Sequence, residues 1–215
     1  MAEQSHLYVL HQGRDVWNQW RQEHHSIQPD FTGADFRGAQ LRQVNLSGAR
    51  LSGADLSGAD LGESLLIRAD VSEANLSRVN LIRANLQEAN LRAAILSNAN
   101  LIEAILSDAD LSDADLSGAI LTGAEVTGTN FSGVDFSDAD LSGIDFSRAN
   151  IKGARLGKAY FSRRSDTSLT DNYHEALRAP TQPQQKQQKQ QSKQRRGLEA
   201  EDLDERAHED WLNDE

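Results

Sequence analysis

From Phe31 to Phe161 every fifth residue is a large apolar one, an unbroken series of 27 centres: eighteen Leu, six Phe, Val71, Val126 and Ile151. Two residues before each centre stands a small one. Between Ala34 and Ala159 it is Ala at 20 of 26 such positions, the others being Val44, Ser64, Val79, Thr129, Val134 and Ile144. With each centre written as i, the slots i−1, i+1 and i+2 are mostly polar. A period of five suits neither regular element. On an α-helix five steps of about 100° rotate the centres by about 140°, so no apolar stripe forms. On a flat strand an odd period puts successive centres on opposite faces. Both objections vanish if the chain turns a corner once per quintet. Then i and i−2 point inward, the other three slots point outward, and stacked coils satisfy one another's backbone. No proline interrupts the tract between Asp30 and Arg163, as a coil that needs all its N–H donors requires.

Glycine marks the corner. Eleven of the 15 glycines occupy slot i+2: Gly33, Gly38, Gly48, Gly53, Gly58, Gly118, Gly123, Gly128, Gly133, Gly143 and Gly153. If i+1 and i+2 are the central turn residues, glycine at the second suits a type II turn, whose φ there is positive. Between Glu63 and Asp113 the slot holds no glycine. These middle corners are therefore expected to switch to a turn with negative φ, at Arg78 and Arg83 among others.

Runs such as Ala54-Asp55-Leu56-Ser57-Gly58 and Ala139-Asp140-Leu141-Ser142-Gly143 resemble the A(D/N)LXX unit of pentapeptide-repeat proteins. The resemblance implies an all-β fold, a right-handed quadrilateral parallel β-helix with four pentapeptides per coil, its interior filled by the central Leu or Phe and by the Ala at i−2. The 27 repeats then make about seven coils, roughly 32 Å tall at ~4.8 Å per coil.

Residues 1–29 break the period and read as a helical N-terminal cap. Leu7, Val9 and Leu10 precede Gly13, a plausible helix stop, and Asp15 is placed to cap a second helix carrying Val16, Trp17 and Trp20. A solenoid's first coil exposes apolar interior and a free edge, which two tryptophans outside the repeat are suited to cover. The string Val16-Trp17-Asn18-Gln19-Trp20-Arg21 is similar to the leader of cyanobacterial pentapeptide-repeat proteins. The solenoid itself spans 30–163. Residues 164–180 are expected to hold a C-terminal capping helix (DNYHEALR, ended by Pro180), and 181–197 a Gln/Lys-rich linker. Residues 198–215 form an acidic, helix-patterned tail in which Leu203, Trp211 and Leu212 are candidate anchors. Either the tail folds back or stays unstructured, or it is a tethered recognition helix for a partner groove.

Net charge changes the picture only by exclusion. With 22 basic against 33 acidic residues the formal charge is −11, which disfavours direct binding to nucleic acid or an anionic membrane. The chain has no cysteine, so neither a disulfide frame nor a thiolate site exists. Its opening residues lack the pattern of a secretory signal and no run is long enough for a membrane span, so a cytoplasmic location is expected. No chemistry emerges. All six histidines lie outside the repeats, and the many serines at i+1 have no base beside them and suit turns. The glycines recur every five residues instead of opening a helix, so none cradles a phosphate. No catalytic, cofactor-binding or metal site is therefore expected, and the chain is not read as an enzyme.

Two surface features go beyond the repeat. Leu65, Ile67, Ile82, Ile95, Ile102, Ile105 and Ile120 occupy outward slots. At 20 residues per coil Ile82 and Ile102 stack on the third face, with Leu65, Ile67 and Ile105 on the fourth. Such a patch suits a protein partner or a second copy of the chain. The other feature is an acidic band, Glu103, Asp108, Asp110, Asp113, Asp115, Glu125, Asp135, Asp138, Asp140 and Asp145, with no base between residues 93 and 147. Its density, roughly one charge per 1.3 Å of axis, approaches that of duplex DNA at ~1.7 Å. Family members that protect topoisomerases are thought to mimic DNA in this way, although these acids spread over all four faces. The expectation is a protein-interaction or scaffold module with an unidentified partner, the alternative a DNA-mimic modulator of a topoisomerase.

Overall fold

The computed structural model describes residues 2–161. The expected C-terminal capping helix, the linker and the acidic tail with Leu203, Trp211 and Leu212 lie outside the described residues.

The repeat tract is a stack of coils. Residues at i−1 pair in parallel with those 20 positions on, from Asp30 with Arg50 through to Asp140 with Tyr160. Each coil therefore holds four quintets and four corners. Coil 1 spans 31–50, coil 2 spans 51–70, and so on upward; faces 1 to 4 carry the centres in chain order, so Leu51, Leu56, Leu61 and Leu66 open faces 1 to 4 of coil 2. Every centre from Phe31 to Leu156 is buried, including Leu86, Leu91 and Leu96 at 1, 0 and 0% exposure. The large centre fills the axis and the small residue at i−2 lets the next side pack against it, so one apolar column runs the length of the stack.

The backbone of a quintet is accounted for donor by donor. In the quintet of Leu76, the Leu76 N–H donates upward to Ile95 O at 2.7 Å and the Arg78 N–H to Ser97 O at 2.9 Å. Asn80 N–H donates downward to Ala59 O at 2.9 Å, and Val79 N–H closes the corner onto Leu76 O at 3.1 Å. The fifth donor, at i+1, is taken by a side chain. Asn75 Oδ1 accepts the Ser77 N–H at 3.2 Å, and the same bond recurs wherever Asp or Asn stands at i−1, as at Asp55, Asn80, Asp110 and Asp140. The asparagine and aspartate of the repeat are thus side-chain acceptors that complete the turn.

The middle corners do not switch. φ is +57° at Arg78 and +55° at Arg83, and it is positive at every glycine-free corner from Glu63 to Asp113. The expectation of negative φ is wrong because the corner has no freedom to choose. Its i+2 N–H must reach the coil above whether the residue is Gly53 (to Ser72 O, 2.9 Å) or Arg78, and that bond together with the i to i+3 closure fixes a type II turn. The exception is Arg148, which is not left-handed. There the ladder slips: Gly128 N–H donates to Arg148 O at 3.0 Å instead of to residue 147, and residues 125 and 145 do not pair. Ile144 stands here in a slot usually given to Ala, and Glu125 and Asp145 stack like charges, so both bulk and repulsion favour the slip.

Below coil 1, α1 (Gln4–His11) and α2 (Arg14–Glu23) cover the end of the column. Asp15 does not cap α2. The N-cap is Gly13, at φ +103°, and Asp15 sits in the first turn, paired with Arg14. Trp17 is fully buried against Phe31, ring centroids 5.5 Å apart, and its Nε1 donates to Asn45 O at 2.8 Å. Asn18 and Arg21 hydrogen-bond further groups of coil 1, at Gln43, Asn45 and Ser47. Polar side chains of α2 thus occupy backbone groups that a lower coil would otherwise have taken.

Candidate interaction surface

The seven outward apolar residues do not form one patch. Ile82 and Ile102 share a column at i+1 of face 3, half-buried. Leu65 and Ile105 share the i−1 column of face 4 but are separated by Asn85, which pairs with both. Ile67 lies beside Leu65; Ile95 is on face 2 and Ile120 on face 3. Leu65, Ile95 and Ile120 are 40, 39 and 38% exposed. Each of the apolar residues at i−1 removes the acceptor that completes a turn. Among the described residues no side chain takes the N–H of Ile67, Ser97, Ser107 or Thr122, two residues after Leu65, Ile95, Ile105 and Ile120.

The acidic band resolves into side chains of different kinds. Asp110, Asp115, Asp135, Asp140 and Asp145 accept the N–H of the serine two residues on. Hydrogen bonds from Ser142 hold the Asp140 carboxyl below its ordinary range, and the Ser147 N–H does the same for Asp145. Glu103 pairs with Arg83 at 2.6 Å and Asp135 with Arg155 at 2.8 Å. Asp113 stands 3.8 Å from Arg92. Asp108, Glu125 and Asp138 have no ion pair among the described residues.

Glycine-free corners put charged side chains on the edges of the stack, and several of them pair with a charge one coil away. On the edge between faces 3 and 4, Arg42 pairs with Glu63 and Arg83 with Glu103. On the next edge Arg68 reaches Glu88 at 2.7 Å. The edge between faces 2 and 3 differs. Its column reads Gly58, Arg78, Asn98, Gly118, so the residue above Arg78 is an amide where Arg68 and Arg83, at the same slot of the middle block, meet a glutamate. Arg78 has no ion pair among the described residues. A shallow concavity of about 450 Å³ opens at this edge, lined by Ser57, Gly58, Ser77, Arg78, Ser97 and Asn98. Sequence reasoning missed it, although pairing residues 20 apart would have exposed the unmatched arginine. Among the described residues no group of three or more His, Asp or Glu is arranged to hold a metal ion, and no helix is long and apolar enough to cross a membrane.

The family model for pentapeptide repeats matches the chain in eight copies, over 30–66, 59–98, 94–133 and 129–163. Among solved structures, HetL from the cyanobacterium Nostoc, a protein involved in regulating heterocyst differentiation, is 30% identical with a TM-score of 0.47; 60% of the present chain is matched, and it spans 63% of HetL. Rfr23 from the cyanobacterium Cyanothece is 24% identical (TM-score 0.42), over 69% of this chain and 95% of that one. QnrB1, a plasmid-mediated fluoroquinolone resistance protein, is 23% identical (TM-score 0.33), over 63% and 80%. No curated protein matches the chain.

Proposed function

The chain belongs to the pentapeptide-repeat family, and from that premise we propose that it is a non-enzymatic interaction or scaffold module whose contact surface lies on coils 2 to 5. In this reading a right-handed, four-sided β-helix closed by helical caps holds the surface rigid, and specificity resides in the outward side chains. The observation that carries it is a coincidence of two departures from the repeat. Eleven consecutive corners, Glu63 to Asp113, keep the left-handed conformation without glycine, at roughly 1–2 kcal/mol each. Over nearly the same span, apolar side chains stand outward and four of them forgo a turn hydrogen bond worth about 1 kcal/mol. Local rules broken together, with no gain in packing, point to a selected surface. Ile82→Lys combined with Ile102→Lys leaves the buried column intact and is expected to abolish association, with the partner or with a second copy, in sedimentation and capture measurements. Unchanged size and unchanged binding, at an unchanged melting curve, would overturn the proposal. A DNA-supercoiling assay with added protein tests the alternative of DNA mimicry by the acidic band.

A further inference from the structure

We infer that the concavity at Arg78 is a receptor for a single carboxylate, carried by an acidic side chain of the partner polypeptide. The inference rests on the interaction reading for the identity of that carrier, not for the existence of the site.

Its basis is electrostatic isolation within an acidic protein. Between the flanking corners Glu73 and Ala93 on one side and the Arg83–Glu103 pair on the other, coils 3 and 4 present residues 74–82 (ANLSRVNLI) and 94–102 (AILSNANLI), in which Arg78 is the one charge. The i−1 slots around it hold Asn75, Asn80, Ile95 and Asn100, all neutral. The carboxylates one coil below, Asp55 and Asp60, are engaged with the Ser57 and Gly62 N–H groups and with the amides of Asn75 and Asn80. An exposed guanidinium that has no carboxylate among the described residues, while Arg68 and Arg83 in matching slots have one, keeps its forked donors free for a carboxylate bound by two parallel bonds.

The lining adds neutral donors. Because Ile95 replaces the usual Asp or Asn, the Ser97 N–H lacks the acceptor that Ser57 and Ser77 find at Asp55 and Asn75, and the Ser97 hydroxyl has no partner among the described residues. Among the described residues the Asn98 side chain makes no hydrogen bond either, its oxygen resting beside Gly118. One cation, an N–H, a hydroxyl and an amide thus line a shallow depression that carries no acid of its own. The Ile82–Ile102 column lies along the face that leads away from this edge, so the chemistry that fits is an acidic residue with apolar neighbours.

The experiment is a titration of the full-length chain followed by ¹⁵N chemical shifts. The probes are a blocked Leu-Glu-Leu tripeptide, its Leu-Gln-Leu counterpart and inorganic phosphate. Saturable shifts at Arg78, Ser97 and Asn98 are expected with the Glu peptide and not with the Gln peptide. Arg78→Gln is expected to weaken the response about tenfold or more. Asn98→Glu keeps Arg78 but supplies the acid that the neighbouring columns already have, so it is expected to quench binding equally while the fold is retained. No saturable shift in the wild type, a response unaltered in either variant, equal shifts at Arg68 and Arg83, or phosphate binding as tightly as the Glu peptide would each overturn the assignment. Association that depends on Ile82 and Ile102 but survives Arg78→Gln would overturn this site and leave the interaction reading standing.

Discussion

At its two ends the stack turns mostly on glycines; between Glu63 and Asp113 it turns on Glu, Arg, Ala, Asn and Asp, and the backbone at these middle corners is the same. Gly53 has φ +65° and Glu73, directly above it, +57°. The corner is therefore imposed by the coils above and below, and the residue only sets how much strain the fold carries there. An L-residue in this conformation costs roughly 1–2 kcal/mol, while an exposed ion pair such as Arg68–Glu88 contributes about 0–1 kcal/mol. Pairing does not offset the strain. Corner side chains in the middle block are better understood as surface chosen at the expense of stability, and the glycine ends as stability without surface.

The comparison is broken most severely where a glycine is crowded. A Cβ at Gly128 would strike the Asp108 carboxylate, whereas at Gly53 it would meet nothing within 4 Å. Gly128→Ala is expected to lower stability by about 1.5–3 kcal/mol, strain plus displacement of the exposed Asp108 carboxylate, and Gly53→Ala by about 1–2 kcal/mol of strain alone, both read from denaturant unfolding. Equal losses would mean that crowding from below plays no part. A smaller change in the opposite direction is expected at Glu73, which has no ion pair among the described residues: Glu73→Gly relieves the corner but adds unfolded-state entropy, leaving a gain of about 0.5–1 kcal/mol. A loss there would show that the middle corners are adapted to their side chains after all.

The gentlest contrast is with acid. At the ends the i+1 N–H is often held by aspartate; in the middle, Asp70 and Asp110 apart, it is held by Asn75, Asn80, Asn85, Asn90 and Asn100, which do not titrate. Arg37 holds the Asp35 carboxyl at about 2, and Ser57, Ser142 and Ser147 hold Asp55, Asp140 and Asp145 below the ordinary value. A carboxyl depressed in the folded state stabilises above its unfolded pKa of about 4, and that contribution fades as pH falls through the folded value. Between about pH 4 and 2, amide exchange is therefore expected to quicken at Ser142 and Ser147 before Ile82, Gln87 or Ile102. Uniform acceleration would remove the distinction.

What the amino-acid order determined by itself was the inside. One large apolar residue per quintet and one small residue two places earlier can share a dry axis in a single way, so the buried column was legible position by position, as was the turn slot at i+2. What only the stacked structure decided lies between coils. The conformation of Arg78 and Arg83 could not be read from local preference, because hydrogen bonds to residues about 20 positions away overrule it. The failure of Asp15 to cap α2 is a local matter: Gly13, with φ +103°, is the N-cap two residues earlier, so the helix begins at Arg14. The isolation of Arg78 is again a relation among coils. It depends on Asn98 standing where Glu88 and Glu103 stand in neighbouring columns, and a charge is free or neutralised only by what the fold sets above it.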